Sequence, residues 1–221
     1  MHFDLAFIQN YAPLYAEAAG LALKLAFWGI LFSTIVGFVC SLIRYYRVPF
    51  LSPVTGAYIE LSRNTPLLVQ LFFLYFGLPK MGIHLDAEIC AVIGLTFLGG
   101  SYMAEAFRGG LEAVSKIQIE SGLSIGLSTP QLVRYVILPQ AFAVAVPALG
   151  ANVIFLIKET SIFSVMALED PMFVAKDLIG LYYDTGEALL MLVVTYLIML
   201  LPLSILLTYL EKKVRHAGFG H

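Results

Sequence analysis

Residues Leu21–Cys40 read LALKLAFWGILFSTIVGFVC, a run in which Lys24 is the single charge. A helix rises about 1.5 Å per residue and the hydrocarbon core of a bilayer is about 30 Å thick, so this run has the length and composition of one membrane span. Working outward, the first helix is expected over residues 18–43 and ends at Arg44, Arg47 and Pro49. A second helix runs from Val54 to Leu78. Its latter half, from Leu67, is almost unbroken apolar and aromatic sequence, while its first half carries Glu60, Arg63 and Asn64. Pro79, Gly82 and Asp86 mark a turn, and a third helix follows from Ala87 to Phe107 with Glu105 near its end. Residues 108–138 are too polar to span. Two further helices, Pro139–Met166 and Ala188–Leu210, complete five crossings.

The chain as a whole agrees with that reading. Of its 221 residues 60% are apolar or aromatic and 13% are charged, and the mean hydropathy is +0.87, outside the range of ordinary water-soluble domains. Hydrocarbon offers the backbone no hydrogen-bond partner, so spans must be helices or closed barrels, and the long apolar runs lack barrel alternation. The expected class is therefore all-α: one polytopic membrane domain over residues 1–221, with no soluble second domain and no internal repeat. Arg44, Arg47, Arg108, Lys116, Arg134, Lys212, Lys213 and Arg215 fall on one side of the membrane, against Lys80 and Lys176 on the other. The richer side is cytoplasmic by the positive-inside rule, which puts the N-terminus outside, the C-terminus in the cytoplasm and the segment Glu169–Glu187 outside. The N-terminus lacks a basic region and a small-residue cleavage site, so the first helix is expected to stay in the mature protein.

Several function classes fall away. A formal charge of −2 with scattered basic residues argues against a nucleic-acid partner. Cys40 and Cys90 lie in apolar stretches and read as buried thiols. His2, His84, His216 and His221 do not cluster, so no metal site is expected. There is no Gly-rich lysine loop for nucleotide, no His-Glu-x-x-His and no Gly-x-Ser-x-Gly.

Between the third and fourth helices, in a loop of about residues 112–138, lies Glu120-Ser-Gly-Leu-Ser-Ile-Gly126, followed after nine residues by Val136-Ile-Leu-Pro139. Ile119, Leu123 and Leu127 make an apolar stripe beside a polar one of Lys116, Glu120 and Ser124. Gly126 suits a left-handed helix stop, and Thr129-Pro130 an N-cap with a first-turn proline. The plain alternative is an interfacial helix that only connects two spans. The spacing, however, resembles the cytoplasmic loop signature of ABC-importer permeases: Glu-Ala-Ala, three residues, Gly, nine residues, Ile, one residue, Leu-Pro. Glu120, Gly126, Leu138 and Pro139 match it, with Ser121 and Gly122 in place of the alanines and Val136 in place of isoleucine. The resemblance implies a helix that docks into an ATP-hydrolysing subunit. ATP and magnesium would then sit on two partner ATPase subunits, with no cofactor bound by this chain.

Polar residues at membrane depth cost at least about 2.5–3.5 kcal/mol for a charge, so they should face protein or a polar cavity. They occur at Arg63-Asn64-Thr65-Pro66, at Tyr102 and Glu105, and at Lys158-Glu159-Thr160-Ser161 following Pro147, Gly150 and Asn152. Interrupted helices of this kind build midplane sites in transporters. Alternatively Arg63 pairs with Glu60 or Glu105, and Lys158 with another carboxylate or with solvent by snorkelling. Arg63-Asn-Thr-Pro-Leu-Leu-Val-Gln70, Tyr102-Met-Ala-Glu-Ala-Phe-Arg-Gly109, Leu138-Pro-Gln140 and Lys158-Glu-Thr-Ser161 resemble segments of polar-amino-acid permeases, with Asn64 in place of their usual glycine. A zwitterion needs a cation for its carboxylate and an acceptor for its ammonium: Arg63 or Lys158 suits the first, Glu105 or Glu159 the second. The resemblance also implies a second permease subunit, identical or related, and an extracytoplasmic substrate-binding protein. An ion-gradient-driven secondary transporter is the rival reading, and five spans without an inverted repeat suit it poorly.

Overall fold

The structure, a computed structural model, describes residues 4–219, with side chains through Val214. Nine α-helices are assigned there: α1 (Leu5–Tyr45), α2 (Leu51–Arg63), α3 (Leu67–Phe72), α4 (Ala87–Glu112), α5 (Lys116–Ser124), α6 (Thr129–Leu132), α7 (Leu138–Glu159), α8 (Pro171–Tyr182) and α9 (Thr185–Phe219). Short π or 3-10 windings extend α3, α6 and α7, and no strand occurs among the described residues. Four stretches are long and apolar enough to cross a membrane, Leu5–Tyr45, Ala87–Glu112, Thr129–Met166 and Thr185–Val214, and Leu67–Met81 is a shorter apolar helix.

The expected second helix is broken in two. Pro66 lacks an amide hydrogen and adopts extended geometry (φ −58, ψ 141), so α2 stops at Arg63 and α3 restarts at Leu67. The Pro66 carbonyl accepts the amides of Val69 and Gln70, and the Gln70 side chain donates to the Thr65 carbonyl at 2.9 Å, so the two carbonyls at the break itself are satisfied. The first and last helices extend beyond the spans read from hydropathy, and the connection after Met166 contains a true helix, α8. The start of α6 differs too: its N-cap is Ser128, one residue before the expected Thr129, because the Gln131 side chain folds back to accept from the Ser128 amide at 2.9 Å.

Residue contacts divide the chain into two units. The first comprises Met1–Leu31, Thr65–Phe97 and Ile154–Leu203. Its apolar cluster joins Phe7 and Tyr15 of α1 to Ala175 and Leu178 of α8 and to Ala188 and Met191 of α9. That packing explains the early start of α1. The Tyr15 hydroxyl donates to the Ala188 carbonyl at 2.8 Å, and the rings of Phe7, Tyr11 and Tyr182 stack on one another. Lys24, the lone charge of the opening stretch, pairs with Glu88 at 2.8 Å.

The second unit comprises Phe32–Asn64, Leu98–Val153 and Ser204–His221. Without a hydrophobic force between helices in lipid, close approach at small residues supplies the packing. Gly37 of α1 lies against Met103 and Ala104 of α4, where any side chain would collide with the α4 backbone. Gly110 of α4 lies likewise against the Ala141 carbonyl of α7. Between α2 and α4, the buried Ser62 hydroxyl donates to Ser101 at 3.0 Å, and Ser101 donates on to the Leu98 carbonyl.

Candidate functional site

The loop after α4 forms the expected helix and break. Ser115 caps α5 by accepting the Gln118 amide. At the other end the Gly126 amide donates to the Leu123 carbonyl at 3.0 Å and the Leu127 amide to the Gly122 carbonyl at 3.1 Å, the paired bonds of a Schellman stop. Gly126 takes φ +87, a left-handed value that favours glycine. The buried face of α5 centres on Gly122, whose missing side chain leaves space taken by Leu132. Ile119 and Leu127 are half-buried, but Leu123 points outward, so the expected apolar stripe is split between two faces. Lys116, Glu120, Ser121, Leu138 and Pro139 are exposed, beside the bare apolar side chains of Ile117 (74% exposed) and Ile125 (78%).

Also in the second unit, α2 and α4 bring Arg63, Tyr102 and Glu105 together. The Arg63 guanidinium lies 5.2 Å over the Tyr102 ring and 4.0 Å from the Glu105 carboxylate. Glu105 is held more closely by Arg108, with contacts of 2.6 and 3.2 Å, and Arg108 in turn holds Glu112 at 2.7 Å. The result is a charge-assisted chain Arg63–Glu105–Arg108–Glu112 that ends at the entry to α5. Sequence reasoning weighed the Arg63–Glu105 pair but missed Arg108 and Glu112, although their i, i+3 and i, i+4 spacing was open to view. Asn64 turns back to the Glu60 carbonyl at 2.7 Å, and Asn152 is half-buried on α7.

In the first unit, α7 ends at Lys158 and Glu159 and tightens into the 3-10 segment Thr160–Met166. Thr160 is buried and donates to the Ile157 carbonyl at 2.8 Å. Lys158 is exposed, Glu159 and Ser161 half-buried, and neither Lys158 nor Glu159 has an ion pair within 4.0 Å among the described residues. Lys158 and Ser161 line an open groove of about 400 Å³ with Met172, Leu192, Leu197 and Tyr196. The buried Tyr196 hydroxyl lies near Thr160 and Ser161 without reaching hydrogen-bond geometry with either. Thr195 and Tyr196, side by side within the apolar run of α9, were the signal available in the sequence. No cluster of metal-ligating side chains occurs among the described residues.

An all-helical chain with several apolar crossings, polar interruptions within them and an exposed helical loop between two of them is a membrane-spanning transport component. Residues 25–216 match the family of binding-protein-dependent transport system inner membrane components, and the chain belongs to that family. It is 35% identical to a probable amino-acid ABC transporter permease protein, PatM, of Vibrio harveyi, over 98% of this chain and 99% of that one. It is 32% identical to the glutamine transport system permease protein GlnP of Escherichia coli, over 97% and 99%. Among solved structures it superposes with a TM-score of 0.88 on an amino acid ABC transporter crystallised with histidines, at 32% identity over 96% of this chain and all of the other. The chain is thus an ABC-importer permease, and the ion-gradient alternative is set aside.

Proposed function

We propose that this permease carries a polar or charged amino acid inward across the cell's inner or plasma membrane, driven by two separate ATPase subunits that bind ATP and magnesium. The chain itself acts as one permease domain with no nucleotide site and no cofactor of its own. It pairs with a second permease, identical or related, and receives its solute from an extracytoplasmic binding protein. Its N-terminus lies outside and its C-terminus in the cytoplasm, the orientation that the basic residues favour. Lys116, Glu120, Ser121, Gly122, Gly126, Leu138 and Pro139 form the ATPase-facing loop. Arg63, Asn64, Thr65, Tyr102, Glu105, Asn152 and Lys158 through Ser161 belong to the solute pathway.

One observation carries this reading. A short helix, capped by Ser115 and stopped by a left-handed glycine, presents Ile117, Leu123 and Ile125 to the surroundings within a loop whose Glu120, Gly126, Leu138 and Pro139 have the spacing of an ATPase-docking signature. Exposed isoleucines on a rigid knob outside a span suit a protein cleft better than water. The amino-acid class is supported by the substrates named for the relatives and by the groove beside Lys158 and Ser161, where a cation for a solute carboxylate lies beside the hydroxyl of Ser161, with Glu159 next in the chain. Reconstitution into vesicles with ATPase subunits and binding protein tests it. Uptake should require ATP and persist when proton and sodium gradients are collapsed; uptake by the permease alone, driven by a gradient, would overturn it.

A further inference from the structure

Behind the Lys158–Ser161 groove, α8 holds two charged residues that the function above leaves unused. Asp170 is 1% exposed, and its carboxylate accepts the Phe173 amide at 3.0 Å and the Met172 amide at 3.3 Å, capping α8. Six residues on, the Lys176 ammonium donates to the Ser164 hydroxyl at 3.0 Å. Ser164 donates in turn to the Ser161 carbonyl at 3.3 Å. An ammonium on α8 is thereby joined through one hydroxyl to the backbone of the segment that forms the groove wall. Between the two elements the chain turns sharply, with Ala167 at φ +55 and the Asp170 amide bonded to the Leu168 carbonyl at 2.8 Å. A non-glycine residue there costs about 1 kcal/mol or more, so contacts on either side must hold the turn.

We propose that Asp170, Lys176 and Ser164 form a strut that positions Ser161 and Lys158 for solute binding, with Asp170 and Lys176 acting as positioning residues that do not touch the solute. Lys176 lies in the middle of α8, beyond the first turn where the helix dipole acts, so what Asp170 contributes to it is the attraction of opposite charges, together with the cap that fixes the start of their shared helix. Ionised Asp170 therefore keeps Lys176 directed along the strut. The charged and titratable groups that face Asp170 are Lys176 from its own helix and Tyr196 from α9. Burial outweighs the cap bonds and Lys176 and raises the Asp170 carboxyl to about 6. On the extracytoplasmic side the strut is accordingly complete at neutral pH and released in mild acid. Ionising this buried carboxyl opposes folding, so a charged Asp170 serves positioning at the expense of stability.

The inference rests on the amino-acid reading, and direct binding separates the two. Equilibrium binding of radiolabelled glutamine, arginine, histidine and glutamate is measured on the purified permease–ATPase assembly without binding protein, together with thermal unfolding. For the amino acid that the wild type binds, Lys176→Met and Ser164→Ala are expected to weaken Kd about five- to ten-fold, and Lys176→Arg to restore it. Asp170→Asn retains a capping side chain and removes the charge. It is expected to bind weakly at every pH from 5 to 8, without the loss of affinity below about pH 6 that the wild type shows, and to unfold no earlier than wild type at neutral pH. Wild-type Kd in both Lys176→Met and Ser164→Ala would overturn the strut, as would an unchanged acid limb in Asp170→Asn. If Lys176→Met fails to assemble, Ser164→Ala, which deletes one hydroxyl, decides alone. A wild type that binds none of the four amino acids would instead refute the amino-acid reading and the strut with it.

Discussion

Replacing Gly126 with valine should separate ATP hydrolysis from transport. Gly126 sits at φ +87 with nothing near the place a side chain would occupy, so the substitution meets no steric obstacle and acts through the backbone alone. A left-handed conformation costs an ordinary L-residue roughly 1–2 kcal/mol, and the β-branch places valine at about 2 kcal/mol. That penalty falls on the turn whose amides at Gly126 and Leu127 close α5. At about 1.4 kcal/mol per tenfold, about 2 kcal/mol moves the balance between closed and open turn by roughly 30-fold. A knob that frays in this way still binds its partner but transmits motion poorly. The assay is the number of ATP molecules hydrolysed per solute imported in proteoliposomes, with co-purification of the ATPase as the control for assembly. Gly126→Val should raise that ratio several-fold, and Gly126→Asn, which tolerates the left-handed region, should raise it less. Gly82→Val is the matched comparison, because Gly82 has φ +85, equally open surroundings and no place in the loop; its ratio should equal wild type. If Gly126→Val keeps the wild-type ratio with normal assembly, the claim that a rigid α5 transmits the stroke is wrong.

Other changes probe the packing and the charges. Gly110→Ala drives a methyl group into the Ala141 carbonyl and should destabilise the second unit by about 1–3 kcal/mol, read as an earlier thermal transition. Gly122→Ala meets only side-chain ends, those of Leu132 and Leu127, and should cost less than Gly110→Ala; equal losses at the two sites would contradict the distinction between backbone and side-chain obstacles. Glu105→Gln removes the anion shared by Arg63 and Arg108 and should lower uptake at least tenfold, with Arg63→Ala following it; full activity in both would remove this chain of charges from the pathway. The stability of the assembly should fall as pH rises from about 4 to above 6, because Asp170 is raised from 3.8 to about 6 and the folded protein holds that proton more tightly than the unfolded chain. The gap is worth at most about 3 kcal/mol and should vanish in Asp170→Asn, so a wild-type slope in that variant would show the buried carboxyl is not its source.

The spans and the short helix with its stop after α4 were legible because both are written in local signals. Hydropathy over twenty residues measures the same transfer that inserts a helix, and the glycine at position 126 is demanded by one backbone angle. The break at Arg63–Pro66 was half legible: proline announced a lost donor, but the bonds that take up the Thr65 and Pro66 carbonyls, from the Gln70 side chain and the first amides of α3, are visible only in the fold. The long start of α1 was hidden, since Tyr11, Pro13 and Glu17 dilute the hydropathy that Phe7 and Tyr15 recover only by packing on α8 and α9. Lys176 and Ser164 were hidden for the same reason. Nothing local marks a lysine on one helix as the partner of a serine twelve residues earlier, across a sharp turn.

The membrane-depth charges divide by how fully their needs are met inside the chain. Glu105 has two guanidinium partners and Arg108 two carboxylates, so that cluster is nearly neutral and internally satisfied. Such a chain of bonds suits a joint between α2, α4 and the entry to α5, since pulling on one member reorients the next. Lys158 and Glu159 stand differently: neither has an ion-pair partner within 4.0 Å among the described residues, and Lys158 lines a groove that Tyr196, with its idle hydroxyl, also lines. An unpaired charge at membrane depth costs several kcal/mol that only a ligand, water or a second subunit can offset. Of the two clusters, the one at Lys158–Ser161 therefore has the stronger physical demand for a zwitterion. Replacing Lys158 by methionine should abolish binding of the amino acid while sparing ATPase assembly, whereas Arg63→Ala should leave binding measurable and impair its conversion into transport. Equal loss of binding in the two variants would place both clusters in contact with the solute and end the division of labour between them.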